Sequence, residues 1–238
     1  MSIDLPSGVI LPVDAVDVRL DPAPHPFESA NAAAIEANWR REVAANPALF
    51  DGTIVLLSAL AYRDGRLVGR CHAVRYATFL YWRGRRETPG AGHAFAHAML
   101  VSGDNALVAI RMGPHTVNAG KVYFAAGSFE PGDFRDRLVD VDANMMREAR
   151  EETGLDLSAA LRGERYHVLS TQVGTVVFRR YRMAEPADEL VRRISAFVAA
   201  EEDPEIVGPV VIRHARDLPE GLSPYMRPLI DWHFSGAE

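Results

Sequence analysis

The nine residues Arg147 to Leu155, REAREETGL, constrain the fold of this 238-residue chain more than any other stretch. Read as the end of a helix, at about 3.6 residues per turn, they set Glu148, Glu151 and Glu152 within an arc of about 100°. Carboxylates that close repel one another unless a cation sits among them. Hard divalent ions such as Mg²⁺ or Mn²⁺ take oxygen ligands of this kind. Met145, Met146 and Ala149 give the same helix an opposite side to bury. Gly154 is the residue type that ends a helix in the left-handed region, and Leu155 can make the apolar contact that accompanies it. An acidic pair on a helix is more often a solvated face, here with Arg147 and Glu151 as an i,i+4 pair contributing about 0.3 kcal/mol. The residues upstream decide between the two readings.

Length and composition limit what surrounds this helix. A chain of this size buries a full core as one large domain or a domain with an extension. Hydrophobic residues at 48% and charged residues at 24% are those of a globular protein. A net charge of −6 argues against general affinity for nucleic acid or an anionic membrane. Cys71 is the only cysteine, so no internal disulfide framework exists and a reducing compartment is expected. Cys71 and His72 are adjacent in a β-prone stretch, where neighbouring side chains point to opposite faces, so they do not form a nucleophile and base. No secretory segment follows Met1, and the apolar run Ile54 to Tyr62 is too short to span a bilayer. A cytoplasmic location is expected, with neither nucleic acid nor membrane as partner.

Along the chain, the first 28 residues are rich in proline and aspartate and read as an irregular arm. Ser29 to Ala45 reads as a helix stopped by Asn46-Pro47. Thr53 to Tyr62 and Leu67 to Trp82 read as strands joined at Asp64-Gly65, a strong hairpin signal. Arg83 to Gly92 is polar with proline and glycine, and marks a boundary between segments 1–92 and 93–238. Further strands are expected over Ala96–Val101, Ala106–Met112, Lys121–Ala126 and, broken at Gly174, Tyr166–Met183. The glutamate helix should begin near Asp140 or Asp142, either of which can cap it. Ala187 to Ala200 carries Leu190, Val191, Ile194, Phe197 and Val198 on one helical stripe. Val210–Ile212 reads as a final strand, and Ser223-Pro224 opens a C-terminal helix. This alternation indicates an α/β or α+β domain with a mixed sheet.

Reading back from the glutamates, Gly127 is followed after five residues by Asp133, and the helix then carries R-E-x-x-E-E-x-G. In these residues the chain resembles the Nudix hydrolase family, whose signature runs G-x5-E-x7-R-E-U-x-E-E-x-G-U with U a bulky aliphatic residue. The matching positions are Gly127, Asp133, Arg147, Glu148, Glu151, Glu152, Gly154 and Leu155. Asp133 replaces a glutamate, Ala149 a larger aliphatic residue, and Ala125-Ala126 the usual Pro-Gly. Between Asp133 and Arg147 stand thirteen residues where the family has seven. A loop lengthened by six residues costs little entropy and leaves the helix spacing intact.

The resemblance covers roughly His93 to Leu218 and implies a Nudix fold, a mixed β-sheet sandwiched between helices. Residues 1–92 would form an extension with a helix and a β-hairpin. Trp39, the segment NPALFDG at 46–52 and RYATFLYWR at 75–83 are weakly similar to a eukaryotic Nudix UDP-sugar hydrolase. Tyr76, Tyr81 and Trp82 there read as core or dimer packing, or as a surface on which a base stacks. The family's activity is metal-dependent hydrolysis of a nucleoside diphosphate joined to another moiety. It implies Mg²⁺ or Mn²⁺ at Glu148, Glu151 and Glu152, joined by the Gly127 carbonyl. Arg147 would orient the carboxylates, and Asp133 would act at second hand or through water. The implied catalytic residues are Glu151, Glu148 and Arg147. Arg111 sits where family members often carry a basic substrate contact, although an arginine at a strand end is as often structural. The general base is a helix glutamate or an acid from a loop. Glu201, Glu202 and Glu205 offer such a loop, which otherwise reads as a solvated acidic turn. The implied partner is a small nucleoside diphosphate derivative, a sugar conjugate first and an ADP-ribose-like compound next, and a homodimer is allowed for. The alternative is a catalytically silent Nudix-fold module that senses a nucleotide; such modules generally lose helix glutamates, and this chain has lost none.

Overall fold

The computed structural model describes residues 3–85 and 89–236. In chain order the strands and α-helices are β1 (Ile3–Asp4), β2 (Ile10–Val13), β3 (Ala15–Asp21), α1 (Pro26–Ala45), β4 (Thr53–Arg63), β5 (Arg66–Arg75) and α2 (Tyr76–Arg83). They continue with β6 (Ala94–Val101), β7 (Leu107–Met112), β8 (Val122–Tyr123), β9 (Ala126–Ser128), β10 (Phe134–Arg135), β11 (Leu138–Val139) and α3 (Val141–Thr153). The last are β12 (Leu161–Arg162), β13 (Tyr166–Thr171), β14 (Gly174–Arg182), α4 (Ala187–Ala200), β15 (Ile206–Ile212) and α5 (Met226–Phe234). The fold class is therefore α/β in the α+β sense. Two compact units divide the chain. The first comprises Met1–Ala96, Ser128–Val141 and His167–Val177; the second comprises His97–Gly127, Asp142–Tyr166 and Phe178–Glu238.

The first unit holds a six-stranded mixed sheet in the order β1-β4-β5-β3-β11-β10. The hairpin expected at Asp64-Gly65 joins β4 to β5, and both turn residues have positive φ. Two readings of this region are corrected. The first 28 residues are not an irregular arm, because β3 pairs in parallel with β5 from Ala15↔Arg66 to Asp21↔His72. Sheet pairing supplies their backbone hydrogen bonds where local propensity does not. The strand expected to run to Trp82 stops at Arg75, and Tyr76–Arg83 is helix α2. There the Asp51 carboxylate accepts from the Ala77 N–H, and Tyr76, Phe79, Leu80 and Trp82 pack against Ile54, Leu56 and Val74. Tyr76 and Trp82 pack, partly buried, against this core.

Cys71 is wholly buried, and burial pushes its thiol up to about 12. His72 is committed to the Ala23 carbonyl and the Ser58 hydroxyl. The pair is no nucleophile.

The longer loop before the glutamate helix also belongs to this unit. β10 and β11 form a tight hairpin whose two turn residues, Asp136 and Arg137, have φ of 49° and 66°. β11 pairs with β3 at Leu138↔Arg19, and the Leu20 N–H donates to the Arg137 carbonyl at 2.8 Å. Residues 134–139 thus extend the first sheet.

In the second unit β15 lies antiparallel to β7 from Ile206 to Ile212, four residues longer at its start than the sequence indicated. Ile206 to Pro209 therefore belong to a strand, with an irregularity between Ile206 and Gly208, rather than to the acidic turn. β8 pairs with the end of β7, and β12 with the end of β14. Phe124, Met145, Leu155, Phe178, Tyr181 and Ile194 are fully buried here or nearly so. α4 follows its expected limits and buries Ala187, Leu190 and Ile194.

Candidate active site

The last two turns of α3, in the second unit, carry the acidic cluster. The helix starts at Val141, between the two aspartates expected to cap it, and Asp142 lies in its first turn. It stops at Gly154, whose φ of +69° is the left-handed conformation glycine adopts freely; the Phe197 ring occupies the space a side chain would fill. α3 is thereby fixed in length, and with it the height of each glutamate.

Its rotation corrects the sequence reading. Glu152 does not face away from the buried side; it shares that side with Met145 and Ala149 and is only 5% exposed. The carboxylates are graded from solvent inward, with the Glu151 side chain 58% exposed and that of Glu148 12%. Arg147 bridges the outer two, its Nη2 2.8 Å from Glu148 Oε1 and its Nη1 2.9 Å from Glu151 Oε2. Among the described residues no cation pairs with Glu152. Its Oε2 accepts from the Ala126 N–H at 2.9 Å. Burial, and then the Glu148 charge beside it, push the Glu152 carboxyl well above the usual carboxylate range. The Ala126 N–H works in the other direction, and the charges of Glu205 and Glu151 add to the rise.

Gly127 meets this cluster through its backbone. A Cβ at this position would overlap the Glu148 carboxyl, so any larger residue here would make that carboxyl shift. Three carboxyls, one arginine and a glycine backbone within contact of Glu148 supply the oxygen donors and the surplus negative charge that a hard divalent cation answers. Among the described residues, no three acidic, histidine or cysteine side chains converge as a ligand set in this conformation. Arg147 holds two of the three carboxyls.

The remaining candidates lie as follows. Arg111, on β7, donates from Nη1 to the carbonyls of Gly120 at 3.2 Å and Glu220 at 3.0 Å, joining two turns. Of the three loop acids, Glu205 is the one whose charge acts on Glu152, and its carbonyl accepts from the Gly113 N–H at 2.7 Å. Glu201 ends α4, and Glu202 is exposed. Asp133, in the first unit, is buried and accepts from the Glu130 N–H at 2.8 Å, closing the 3-10 turn before β10.

The sequence reading missed Tyr123. Its hydroxyl accepts from Asn118 Nδ2 at 3.1 Å, and burial first and the Glu152 charge second push it upward. Within the sequence it is an ordinary strand aromatic, four residues before Gly127. Asp142 was read only as a helix cap, yet its carboxylate receives four side-chain hydrogen bonds.

No family model matches the chain, and no curated protein matches it. Among solved structures, a MutT protein from Methanosarcina mazei Go1 is similar over 60% of this chain and 94% of its own, at 15% identity and a TM-score of 0.40. A NUDIX hydrolase from Nitrosomonas europaea is similar over 62% of this chain and 91% of its own, at 18% identity and a TM-score of 0.38. Among the described residues, no helix is long and apolar enough to cross a membrane.

Proposed function

We propose that the chain is a Nudix-type hydrolase that cleaves the diphosphate linkage of a nucleoside diphosphate derivative, using Mg²⁺ or Mn²⁺ held by Glu148, Glu151 and Glu152. The observation that carries this reading is the Gly127 backbone seated on the Glu148 carboxyl, beside a buried Glu152 with which no cation pairs among the described residues. Burying a carboxylate next to another is costly, and a bound cation removes that cost. The Gly127 carbonyl and the three carboxyls fit such an ion in donor type. When bound, a divalent ion neutralises diphosphate oxygens and lowers the pKa of a coordinated water.

The chain's own residues have separable tasks. The Ala126 N–H holds Glu152 Oε2 in place from the strand side. Arg147 restrains Glu148 and Glu151 so that two like charges share one counter-charge. Glu205 is the loop acid assigned to proton removal from water, because its charge already acts within the cluster. Arg111 has Nε and Nη2 beyond its two backbone contacts and is assigned to a substrate phosphate. Little covalent chemistry is asked of these groups; positioning and charge stabilisation provide most of the rate. Catalysis is assigned to residues 93–238 and the cytoplasm is the proposed compartment. A nucleoside diphosphate sugar is the proposed substrate class, with ADP-ribose-like compounds second.

The test is a Mg²⁺/Mn²⁺ screen against nucleoside diphosphate sugars, ADP-ribose, NADH, coenzyme A and nucleoside triphosphates, reading phosphate released after phosphatase. Metal-dependent cleavage of a diphosphate compound supports the enzyme. Tight nucleotide binding with no cleavage across the panel would overturn it in favour of a sensor.

A further inference from the structure

At the opposite end of α3 from the glutamates, one carboxylate gathers four donors from three strands or their edges. Asp142 Oδ1 accepts from the Tyr181 hydroxyl at 2.5 Å. Its Oδ2 accepts from the Tyr166 hydroxyl at 2.9 Å, from Arg179 Nη1 at 2.8 Å and from Arg162 Nη1 at 3.1 Å. The donors are themselves held. Arg179 also donates from Nε to the Gly163 carbonyl at 2.6 Å and from Nη2 to the Glu164 carbonyl at 3.1 Å, and its guanidinium lies 4.6 Å from the Tyr166 ring centroid. The Asp142 and Arg179 side chains are only 15% and 12% exposed. β12, the start of β13 and the end of β14 thus close on one oxygen pair in the first turn of the helix.

A helix N-terminus needs a cap or a single acidic side chain, not four convergent donors on one carboxylate. Arg179 spends Nε, Nη1 and Nη2 on partners within the protein. The geometry of the cluster fixes α3 about its own axis. Glu148 lies six residues further on, less than two turns away. Any rotation or shift of the first turn is carried by the helix to the carboxylates, because the intervening hydrogen-bonded turns are stiff. We infer that Asp142 is a positioning residue for the cation site: by clasping Arg162, Tyr166, Arg179 and Tyr181 it sets the rotation of α3 that places Glu148 and Glu152 for the metal. This rests on the metal-site reading given above.

The test measures Mn²⁺ binding directly, by electron paramagnetic resonance of free Mn²⁺ during titration of the full chain without substrate. Asp142→Asn keeps the shape and removes the charge, and the Mn²⁺ dissociation constant should rise about tenfold, as for other residues that orient metal ligands from behind. Tyr166→Phe removes one of the four bonds with little risk to folding, and should give a smaller rise in the same direction. A merely structural clasp would lower the melting temperature and leave the dissociation constant, measured well below melting, unchanged. If wild type binds Mn²⁺ and both folded variants bind it equally well, the positioning role is overturned while the metal site stands. If wild type binds no Mn²⁺, the metal site and the positioning role both fall.

Discussion

The two ends of α3 handle negative charge in opposite ways. At the N-terminal end one carboxylate, Asp142, is met by two guanidinium groups and two phenols. At the C-terminal end the Arg147 guanidinium bridges Glu148 and Glu151, while the most buried carboxyl, Glu152, accepts from the backbone N–H of Ala126. A protein interior tolerates a buried charge when it is paired and hydrogen-bonded. The first arrangement meets that condition and the second does not. On the proposed function, the deficit ten residues later is the place where a cation would bind.

Several substitutions break or sharpen this contrast. The largest effect is expected from Glu152→Gln or Glu148→Gln, each of which should lower metal-dependent hydrolysis by on the order of 100- to 1,000-fold with the circular dichroism spectrum unchanged. Retention of wild-type turnover by either would remove the deficit end from catalysis. Gly127→Ala comes next. Its Cβ would displace the Glu148 carboxyl, and Mn²⁺ affinity measured by calorimetry should fall about tenfold. Asp142→Asn, at the satisfied end, should lower stability by about 2 kcal/mol in urea unfolding, since Arg179 is left buried without its carboxylate.

The smallest effect lies in pH dependence. Burial holds His97 and His233 down at about 4 and His93 at about 3. Their folded values lie below the unfolded value of 6.5, so their contribution is complete above pH 6.5 and is lost as pH falls toward 4. Glu152 has the reverse sign. Its folded value lies above the unfolded value of 4.5, so its contribution is complete below that pH and is lost as pH rises through the folded value. The histidines act equally in wild type and Glu152→Gln. The difference between their melting curves should therefore be near zero at pH 4 and widen as pH rises, in favour of the variant.

Much of the second unit was legible because its signals are local. Gly154 announced the helix stop, and the stripe from Leu190 to Val198 announced α4 with its limits. The spacing inside REAREETGL located the acidic cluster. What escaped depends on pairing between distant segments. Residues Ala15 to Asp21 look irregular alone and become a strand because β5 lies beside them. Tyr76 to Arg83 is rich in β-formers, yet the Asp51 carboxylate at the Ala77 N–H and the apolar face on Val74 make it a helix. Helical spacing correctly grouped three glutamates within about 100°. It did not show that the burial boundary runs through that arc, since only the strand bearing Ala126 decides which glutamate is covered. Asp142 looked like any capping residue because its four donors are 20 to 39 residues away in sequence.

The most direct test of the account is the melting temperature of wild type and Glu152→Gln at neutral pH, each freed of metal by chelation and then titrated with Mn²⁺. Metal-free Glu152→Gln should melt above metal-free wild type, because a buried carboxyl whose ionisation is penalised has become a neutral amide that still accepts from the Ala126 N–H. Added Mn²⁺ should raise wild type and leave the variant where it was. A metal-free variant that melts below wild type, with neither protein moved by Mn²⁺, would contradict the claim that the C-terminal end of α3 holds a charge deficit for a cation.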